Sequence, residues 1–251
     1  MKNYEQIAEE WKNRNLKTTA DLEQALENYR ILFAFHSNKI ENPATTYHDT
    51  REIFEHGRVS NYTGDLRTLY EIENQKLCYD FLKEKILEKE PLTPELILRI
   101  HKLLMRGCYD EERYAKGERP GTWKKSMYVV GDETGVEPEE VEQEIRFVLD
   151  EVNQPGIARP LTAAAYLHLN FESIHPHADG NGRTGRTLMN YYLLTHDHPP
   201  LIIYEEDKAA YYMALALFDK TDEMDGFVRF LKEETVKTWN FKKAKRIPLE
   251  I

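Results

Sequence analysis

The chain has 251 residues, of which 41% are hydrophobic, so it can bury the core of one domain with an extension, or of two small domains. The 34 basic and 44 acidic residues give a net charge of −10, which argues against nucleic acid as a partner. Two cysteines suggest no disulfide framework, the N-terminal segment is too polar for a signal peptide, and no apolar run approaches a membrane span. We therefore expect a cytoplasmic protein with no membrane partner.

Apolar residues recur at helical spacing along most of the chain, and the first such pattern covers residues 20–41. Pro43 ends this predicted helix, because a proline disfavours the helical conformation in the residue before it. A second helical pattern covers residues 66–89. Thr93 is a suitable N-cap with a proline directly after it, which predicts a third helix over residues 94–105.

Residues 117–135 differ from the rest, because a short β-prone segment lies there between turns rich in glycine and proline. The candidate strand includes Ser126, Met127, Tyr128 and Val129. An isolated hairpin is marginally stable, so we expect it to dock on the helices or to move. Beside a nucleotide site such a hairpin could hold an extended peptide by adding a strand to its edge. The alternative is a plain connection between two helices.

The second half of the chain returns to helical patterns. These predict helices at 138–152, at 161–173, directly after the glycine-rich run described next, at 207–218 and at 225–239. The fold class expected from the whole pattern is therefore all-α, with one small β-hairpin.

Residues 175–186 read HPHADGNGRTGR and are followed by an apolar helical pattern. A glycine-rich turn that opens a helix leaves the first backbone N–H groups free to bind an anion. This turn consists of Gly180, Asn181 and Gly182. Arg183 and Arg186 are three residues apart and share a helix face, where their guanidinium groups can bind phosphate oxygens.

The same run supplies a carboxylate and a base. Asp179 with two phosphate oxygens would suit Mg²⁺, and His175 can act as a base near neutral pH. Together with the turn, these are the parts that phosphoryl-group chemistry on a nucleotide requires. An alternative is a zinc-dependent hydrolase that uses His175, His177 and Asp179, with His168 nearby. The adjacent glycines and arginines weigh against zinc, which does not need them.

The run resembles the Fic family signature, H-P-F-x-[D/E]-G-N-G-R-x-x-R, with His177 at the position that usually holds Phe. That Phe anchors the loop in the family, so His177 leaves the packing of the loop open. A looser likeness extends from about Leu92 to about Leu231. The resemblance implies a Fic-fold helical bundle with the hairpin as its flap. It also implies an N-terminal helical region over 1–90, a catalytic core over 91–235 and a C-terminal tail over 236–251.

Fic proteins mostly transfer AMP from ATP to a hydroxyl on a target protein and release pyrophosphate. The resemblance therefore implies ATP as substrate and Mg²⁺ or Mn²⁺ as the metal ion. The acceptor would be a Tyr, Ser or Thr side chain of a target protein or of the chain itself. A homodimer is also compatible with the resemblance, because dimers are common among similar proteins.

The resemblance also implies a role for each motif residue. His175 would deprotonate the target hydroxyl, and Asp179 would hold the metal ion on the α and β phosphates. The residues implied to bind the phosphates are Gly180, Asn181, Gly182, Arg183 and Arg186. The residues that could line the adenine pocket are Tyr204, Tyr211 and Tyr212. The flap residues implied to register the target segment are Ser126, Met127, Tyr128 and Val129.

Residues 37–42, SNKIEN, resemble the inhibitory motif [S/T]-x-x-x-E-[G/N] of many Fic proteins. Ser37 and Glu41 are four apart and lie on one helix face. The resemblance implies that Glu41 pairs with Arg186 and leaves ATP in an unproductive pose. Three alternatives stay open: an exposed helix-end glutamate, an enzyme that mainly removes AMP with help from Glu41, and a nucleotide-binding regulatory module without transfer.

Overall fold

The computed structural model describes residues 1–130 and 133–240 and shows a helical protein, which confirms the all-α class. The α-helices in these residues are α1 Tyr4–Lys12, α2 Thr19–Ala25, α3 Tyr29–Glu41, α4 Tyr47–His56, α5 Leu66–Leu87, α6 Pro94–Leu104, α7 Glu111–Ala115, α8 Val141–Val152, α9 Pro160–Ile174, α10 Asn181–Thr195, α11 Lys208–Thr221 and α12 Asp225–Asn240. A short 3₁₀ helix, Glu205–Asp207, precedes α11. Two strands, β1 Val129–Val130 and β2 Glu133–Thr134, pair antiparallel.

Helix α10 is the centre of the fold and packs against α3, α5, α6 and α9. Leu188 and Met189 are fully buried, and almost every other residue of the helix is buried as well. A helix buried on all sides has little freedom to tilt, because every displacement would open a gap in a close-packed core. The first turn of α10, where the two motif arginines lie, therefore has a rigid base.

The predicted helix over residues 20–41 is in fact two helices, α2 and α3. Glu27 and Asn28 are exposed in the turn between them, and asparagine favours caps over helix interiors because its side chain competes for backbone groups. The apolar spacing did not reveal this break, because Leu22 and Leu26 on one side and Tyr29 on the other all face the core.

One hydrophobic core joins the N-terminal helices to the rest of the chain. Trp11 and Leu22 belong to the same buried cluster as Phe171 and Leu188. The division at residue 90 stays a prediction, and it falls between α5 and α6 within this shared core. Helix α12 continues to Asn240 and includes the start of the predicted tail, while residues 241–251 lie outside the described residues.

The predicted hairpin segment is mostly irregular in its described part, with β1 and β2 only two residues long each. Residues 131–132 of this segment lie outside the described residues. The predicted role of the segment as a flap stays a prediction. Across residues 1–130 and 133–240, no helix combines the length and apolar character needed to cross a membrane.

Candidate active site

The candidate base, His175, lies where α9 ends. It adopts a left-handed conformation with φ of 50°, which costs an L-residue about 1–2 kcal/mol and turns the chain sharply away from the helix axis. Burial lowers the pKa of His175 to about 4, and the nearby Lys124 ammonium contributes to the shift. The imidazole is therefore neutral at pH 7, which is the form that accepts a proton.

Asn181 holds the loop in place and orients His175. Its Oδ1 accepts a hydrogen bond from the backbone N–H of His177 at 2.9 Å, and its Nδ2 donates to the carbonyl oxygen of His177 at 2.8 Å. The same Nδ2 lies 2.8 Å from Nε2 of His175. An amide nitrogen can only donate, so Nε2 of His175 carries the lone pair that a base requires.

The glycine turn opens α10 as the sequence predicts. Gly180 has φ of 81°, and a Cβ at this position would collide with Met105, so both backbone shape and space require glycine. The first N–H groups of a helix have no intrahelical partners and are available to an anion. A Cβ on Gly182 would collide with Oε1 of Glu41, so this carboxylate lies directly against the turn.

Arg186 is 1% exposed and is held by residues of α3. Its Nη2 lies 2.8 Å from Oε1 of Glu41 and 2.9 Å from the carbonyl oxygen of Ser37, and its Nε donates to Oγ of Ser37 at 3.1 Å. Nη1 of Arg186 is buried without a hydrogen-bond partner among the described residues, 2.9 Å from the Cβ position of Gly182. An unpaired buried donor beside an anion-binding turn fits an oxygen that binds there.

Arg183 pairs with a different glutamate. Its Nη1 lies 2.8 Å from Oε1 of Glu71 on α5, and both side chains are almost fully buried. Arg67, one turn before Glu71, donates from Nε to Oε1 of Glu71 at 3.0 Å and from Nη2 to Oδ2 of Asp179 at 2.9 Å. The motif arginine and the motif aspartate are thus joined through α5, in addition to their direct contact of 3.6 Å between Nη2 of Arg183 and Oδ1 of Asp179.

The sequence analysis did not identify Arg67 or Glu71. Their i,i+4 spacing was a visible signal, but such a pair usually marks a solvated helix face and does not show which residue it meets in the fold. The contact between α5 and α10 is needed to see that Glu71 is buried against Arg183.

The residues around Asp179 fit a magnesium ion bound together with phosphates. Asp179 is 20% exposed, and its cationic neighbours are Arg67 at 2.9 Å, which is 36% exposed, and more distantly Arg183 at 3.6 Å and Arg113 at 3.8 Å. Magnesium in nucleotide sites takes one or two carboxylates and completes its shell with phosphate oxygens and water. A single accessible carboxylate next to the anion turn meets that requirement.

The zinc alternative is wrong. Within residues 1–130 and 133–240 there is no cluster of three His, Cys, Asp or Glu side chains that could hold a metal ion. The ring of His177 stacks on His101 with centroids 3.6 Å apart, and its Nδ1 donates to the carbonyl oxygen of Thr122 at 2.9 Å. His168 contacts the Tyr211 hydroxyl at 2.8 Å. His177 therefore fills the buried position in the loop where the family motif has Phe.

The three tyrosines predicted near the adenine differ in accessibility. Tyr211 is buried, with its ring 5.9 Å from the Arg186 guanidinium, and Tyr212 is 41% exposed beside it. Tyr204 is 2% exposed and packs on His36, with centroids 4.6 Å apart. The structure therefore brings Tyr211 and Tyr212 to the arginine site and places Tyr204 in the core, and the adenine role of all three stays a prediction.

The predicted flap segment is tied to the catalytic loop at both ends. The backbone N–H of Lys124 donates to the carbonyl oxygen of Pro176 at 2.8 Å, and that of Val136 donates to Ile174 at 3.2 Å. Ile174 and Pro176 flank His175, so Lys124 and Val136 lie beside the candidate base. Met127 is 37% exposed, Ser126 and Tyr128 are half-buried, and Val129 lies in β1.

Residues 91–193 match a family model described as Fic/DOC family. A protein adenylyltransferase fic-1 from Caenorhabditis elegans is 27% identical over 225 residues, which cover 88% of this chain and 42% of the relative. A protein adenylyltransferase Fic from Nematostella vectensis is 28% identical over 224 residues, which cover 86% of this chain and 49% of the relative. The chain thus spans less than half of the length of these curated relatives.

Solved structures share the fold. A Fic domain containing signaling protein from Bacteroides thetaiotaomicron superposes with a TM-score of 0.80 at 24% identity, over 94% of each chain. Residues 134–508 of Fic-1 from Caenorhabditis elegans superpose with a TM-score of 0.75 at 24% identity, over 92% of this chain and 68% of that one. At these identities the likeness shows a common fold.

Proposed function

We propose that this chain, whose residues 91–193 match the Fic/DOC family model, is a protein adenylyltransferase that transfers AMP from ATP to a target hydroxyl. The observation that carries the proposal is the arrangement around the glycine turn. A neutral His175, a free helix N-terminus at 180–182 and two arginines lie together at one end of α10. The curated relatives named adenylyltransferases support it.

The proposed reaction begins with ATP bound so that its phosphates lie on the turn at 180–182. The α phosphorus then faces His175, and Arg183 and Arg186 bind the β and γ phosphates. Nε2 of His175 takes the proton of a Tyr, Ser or Thr hydroxyl as that oxygen attacks the α phosphorus. A P–O bond to the target forms, the bond between the α phosphorus and the bridging oxygen breaks, and pyrophosphate leaves.

Asp179 would hold Mg²⁺, or Mn²⁺ in its place, against the phosphates. A bound divalent ion neutralises the charge that develops on the leaving pyrophosphate. Arg67 contacts Oδ2 of Asp179, so its guanidinium must move when the ion binds. Its partial exposure permits that movement, because water can solvate the displaced group.

We further propose that Glu41 inhibits the enzyme. Its carboxylate lies against Gly182 and pairs with Arg186, which is where the γ phosphate would bind. Two negative groups cannot share this guanidinium at close range without a large electrostatic cost. ATP would then bind with its phosphates displaced until the C-terminal end of α3 withdraws.

The acceptor is proposed to be a separate target protein, with the chain itself as a second acceptor. Cytoplasmic localisation fits the two cysteines, Cys78 and Cys108, which are both free and buried. A homodimer stays a prediction from the family resemblance.

Intact mass of the Glu41→Gly protein after incubation with ATP and Mg²⁺ tests the proposal. We expect a gain of one or more AMP groups on the protein, or radiolabel from α-labelled ATP in a lysate target. His175→Ala in the same background should bind ATP and transfer nothing. No incorporation into either acceptor would overturn the proposal.

Removal of AMP is the alternative reaction at the same site, and it stays a prediction. Incubating a modified target with the parent chain separates the two reactions. Released AMP without new incorporation would favour removal as the main activity.

A further inference from the structure

A basic groove of about 610 Å³ lies beside the active site, between α6 and the loop at residues 119–122. Its lining includes four basic side chains, and no acidic residue of the described chain lines it. The basic residues are Arg99, Lys102, Arg106 and Arg119. The groove is therefore strongly positive although the chain as a whole carries a net charge of −10.

The basic residues of the groove form no ion pair among the described residues, although the guanidinium of Arg99 lies 5.6 Å from the Phe81 ring. Arg99, Lys102 and Arg106 are exposed and take part in no ion pair within residues 1–130 and 133–240. Arg99 and Lys102 are three residues apart on α6, where like charges repel each other, and Arg106 follows two residues after the helix ends. Arg119 donates from Nη1 to the backbone oxygens of Tyr114 and Glu118, and its guanidinium lies 4.8 Å from the Tyr114 ring, so it has polar contacts but no carboxylate partner among the described residues.

The groove is connected to the catalytic loop by hydrogen bonds. The backbone N–H of Gly121, in the groove wall, donates to Nδ1 of His101 at 2.8 Å, and Nε2 of His101 contacts the carbonyl oxygen of Asp179 at 3.0 Å. Thr122, the next wall residue, accepts the hydrogen bond from His177. The wall and the loop that carries His175 therefore form one rigid unit.

The distance from groove to base suits a short peptide. Lys124 lies three positions after Gly121, and its N–H binds the carbonyl oxygen of Pro176 next to His175. An extended chain covers at most about 3.6 Å per residue, so the Cα atoms of Gly121 and Lys124 are at most about 11 Å apart. A target segment of about four to six residues can reach from the base to the groove.

We propose that this groove binds an acidic segment of the target protein, about four to six residues from the modified hydroxyl. The statement rests on the proposed function, because it takes the acceptor to be a protein. An acidic peptide fits better than a nucleic acid, since the negative chain would repel a long polyanion beyond the four cations. The groove would thus select targets by charge at a position outside the catalytic site.

Fluorescence anisotropy with fluorescein-labelled hexaglutamate tests the binding step directly. The full chain and a charge-reversed variant, Arg99→Glu/Lys102→Glu/Arg106→Glu, are compared at low salt after circular dichroism shows both folded. The control variant, Lys12→Glu/Lys220→Glu/Arg229→Glu, changes the net charge equally at exposed positions elsewhere. We expect at least a fivefold weaker binding in the groove variant only.

Three results of this experiment would overturn the inference. These are a loss smaller than fivefold in the groove variant, an equal loss in the control variant, and tighter binding of a single-stranded RNA hexamer than of hexaglutamate. The measurement involves no ATP and no AMP transfer, so it stands whether or not the proposed reaction occurs.

A kinetic arm in the Glu41→Gly background tests specificity. The substrates are peptides with one tyrosine and a run of either three glutamates or three glutamines. The run lies five residues before the tyrosine in one set of peptides and five residues after it in the other. We expect the groove variant to raise KM at least fivefold for a glutamate peptide and to leave kcat and the glutamine peptides unchanged. Transfer to no peptide at all would count against the proposed function, while equal KM values for both peptide types would count against the groove.

Discussion

Two arginine–glutamate pairs lie one turn apart at the start of α10, and they differ in exposure. Arg183 pairs with Glu71 at 2.8 Å, and the Glu71 side chain is 2% exposed. Arg186 pairs with Glu41 at the same distance, but the Glu41 side chain is 30% exposed. The two pairs join the same helix to two different N-terminal helices, α5 and α3.

The difference indicates which pair can open. Removing one partner of a fully buried pair leaves an uncompensated charge away from water and costs about 3–5 kcal/mol. Glu41 can be solvated when it leaves Arg186, so that separation costs less. We therefore propose that Glu71 holds Arg183 in place and that Glu41 inhibits reversibly at Arg186.

The largest expected effect is on stability, at Glu71. Glu71→Ala should lower the free energy of unfolding by about 3–5 kcal/mol, because Arg183 then stays buried with only the longer contact to Asp179, at 3.6 Å. Urea denaturation followed by circular dichroism measures this. Glu73→Ala, at an exposed position on the same helix, is the matched control and should change stability little. If Glu71→Ala is as stable as Glu73→Ala, or if it gains AMP transfer, then the proposed division into a stabilising pair at Arg183 and an inhibitory pair at Arg186 is wrong.

Glu41→Gly should show the opposite pattern, with activity gained and stability mostly kept. We expect AMP incorporation to rise at least tenfold. This corresponds to a free-energy difference of about 1.4 kcal/mol by which Glu41 favours the inhibited state over the state that transfers AMP. Glu27→Gly removes the same charge at an exposed position of the same region and serves as control. Equal incorporation by the two variants would remove Glu41 as the inhibitor.

Glu172 sharpens the comparison, because it is a second carboxyl near Arg186, beside Glu41. Burial raises the pKa of Glu172 to about 8, so it is protonated at pH 7 and leaves Glu41 as the charged partner. A raised folded pKa favours the protonated form, so its contribution to stability should be lost as pH rises from about 4.5 to about 8. Glu172→Gln should flatten this part of the curve of unfolding free energy against pH. An unchanged slope would show that Glu172 is ionised in the fold.

The smallest expected effect is at Ser37. Ser37→Ala removes the hydrogen bond from Nε of Arg186 but keeps the bond to the backbone oxygen and the Glu41 pair. Loss of one such bond is worth about 1 kcal/mol, so AMP incorporation should rise by about fivefold at most. Labelled-ATP incorporation beside Glu41→Gly measures it. A rise as large as that of Glu41→Gly would place the inhibitory contact on Ser37 instead.

The sequence predicted local features well because they depend on contiguous residues. The run from His175 to Arg186 contains its own turn, helix start and charged groups, and the structure brings them together. The helix that carries Ser37 and Glu41 was predicted in position, though not its separation from α2. The all-α class followed from periodicity along the whole chain.

Features that depend on packing between distant elements were not predictable. Glu71 lies in a helix with many charged residues, and only the fold shows that it is buried against Arg183. The ring stack of His101 and His177 joins α6 to the catalytic loop across 76 positions of sequence, and no local pattern indicates it. The zinc alternative failed for the same reason, because spacing alone does not reveal that His177 points into the core.

A crystal structure of the Glu41→Gly protein with a non-hydrolysable ATP analogue and Mg²⁺ tests most directly whether the first turn of α10 binds a triphosphate. We expect phosphate oxygens on the N–H groups of the 180–182 turn and the γ phosphate on the Arg186 guanidinium. The parent chain under the same conditions should show the γ phosphate elsewhere, with Glu41 still on Arg186. A turn that binds no phosphate at saturating analogue, or a γ phosphate away from Arg186 in the variant, would contradict the site.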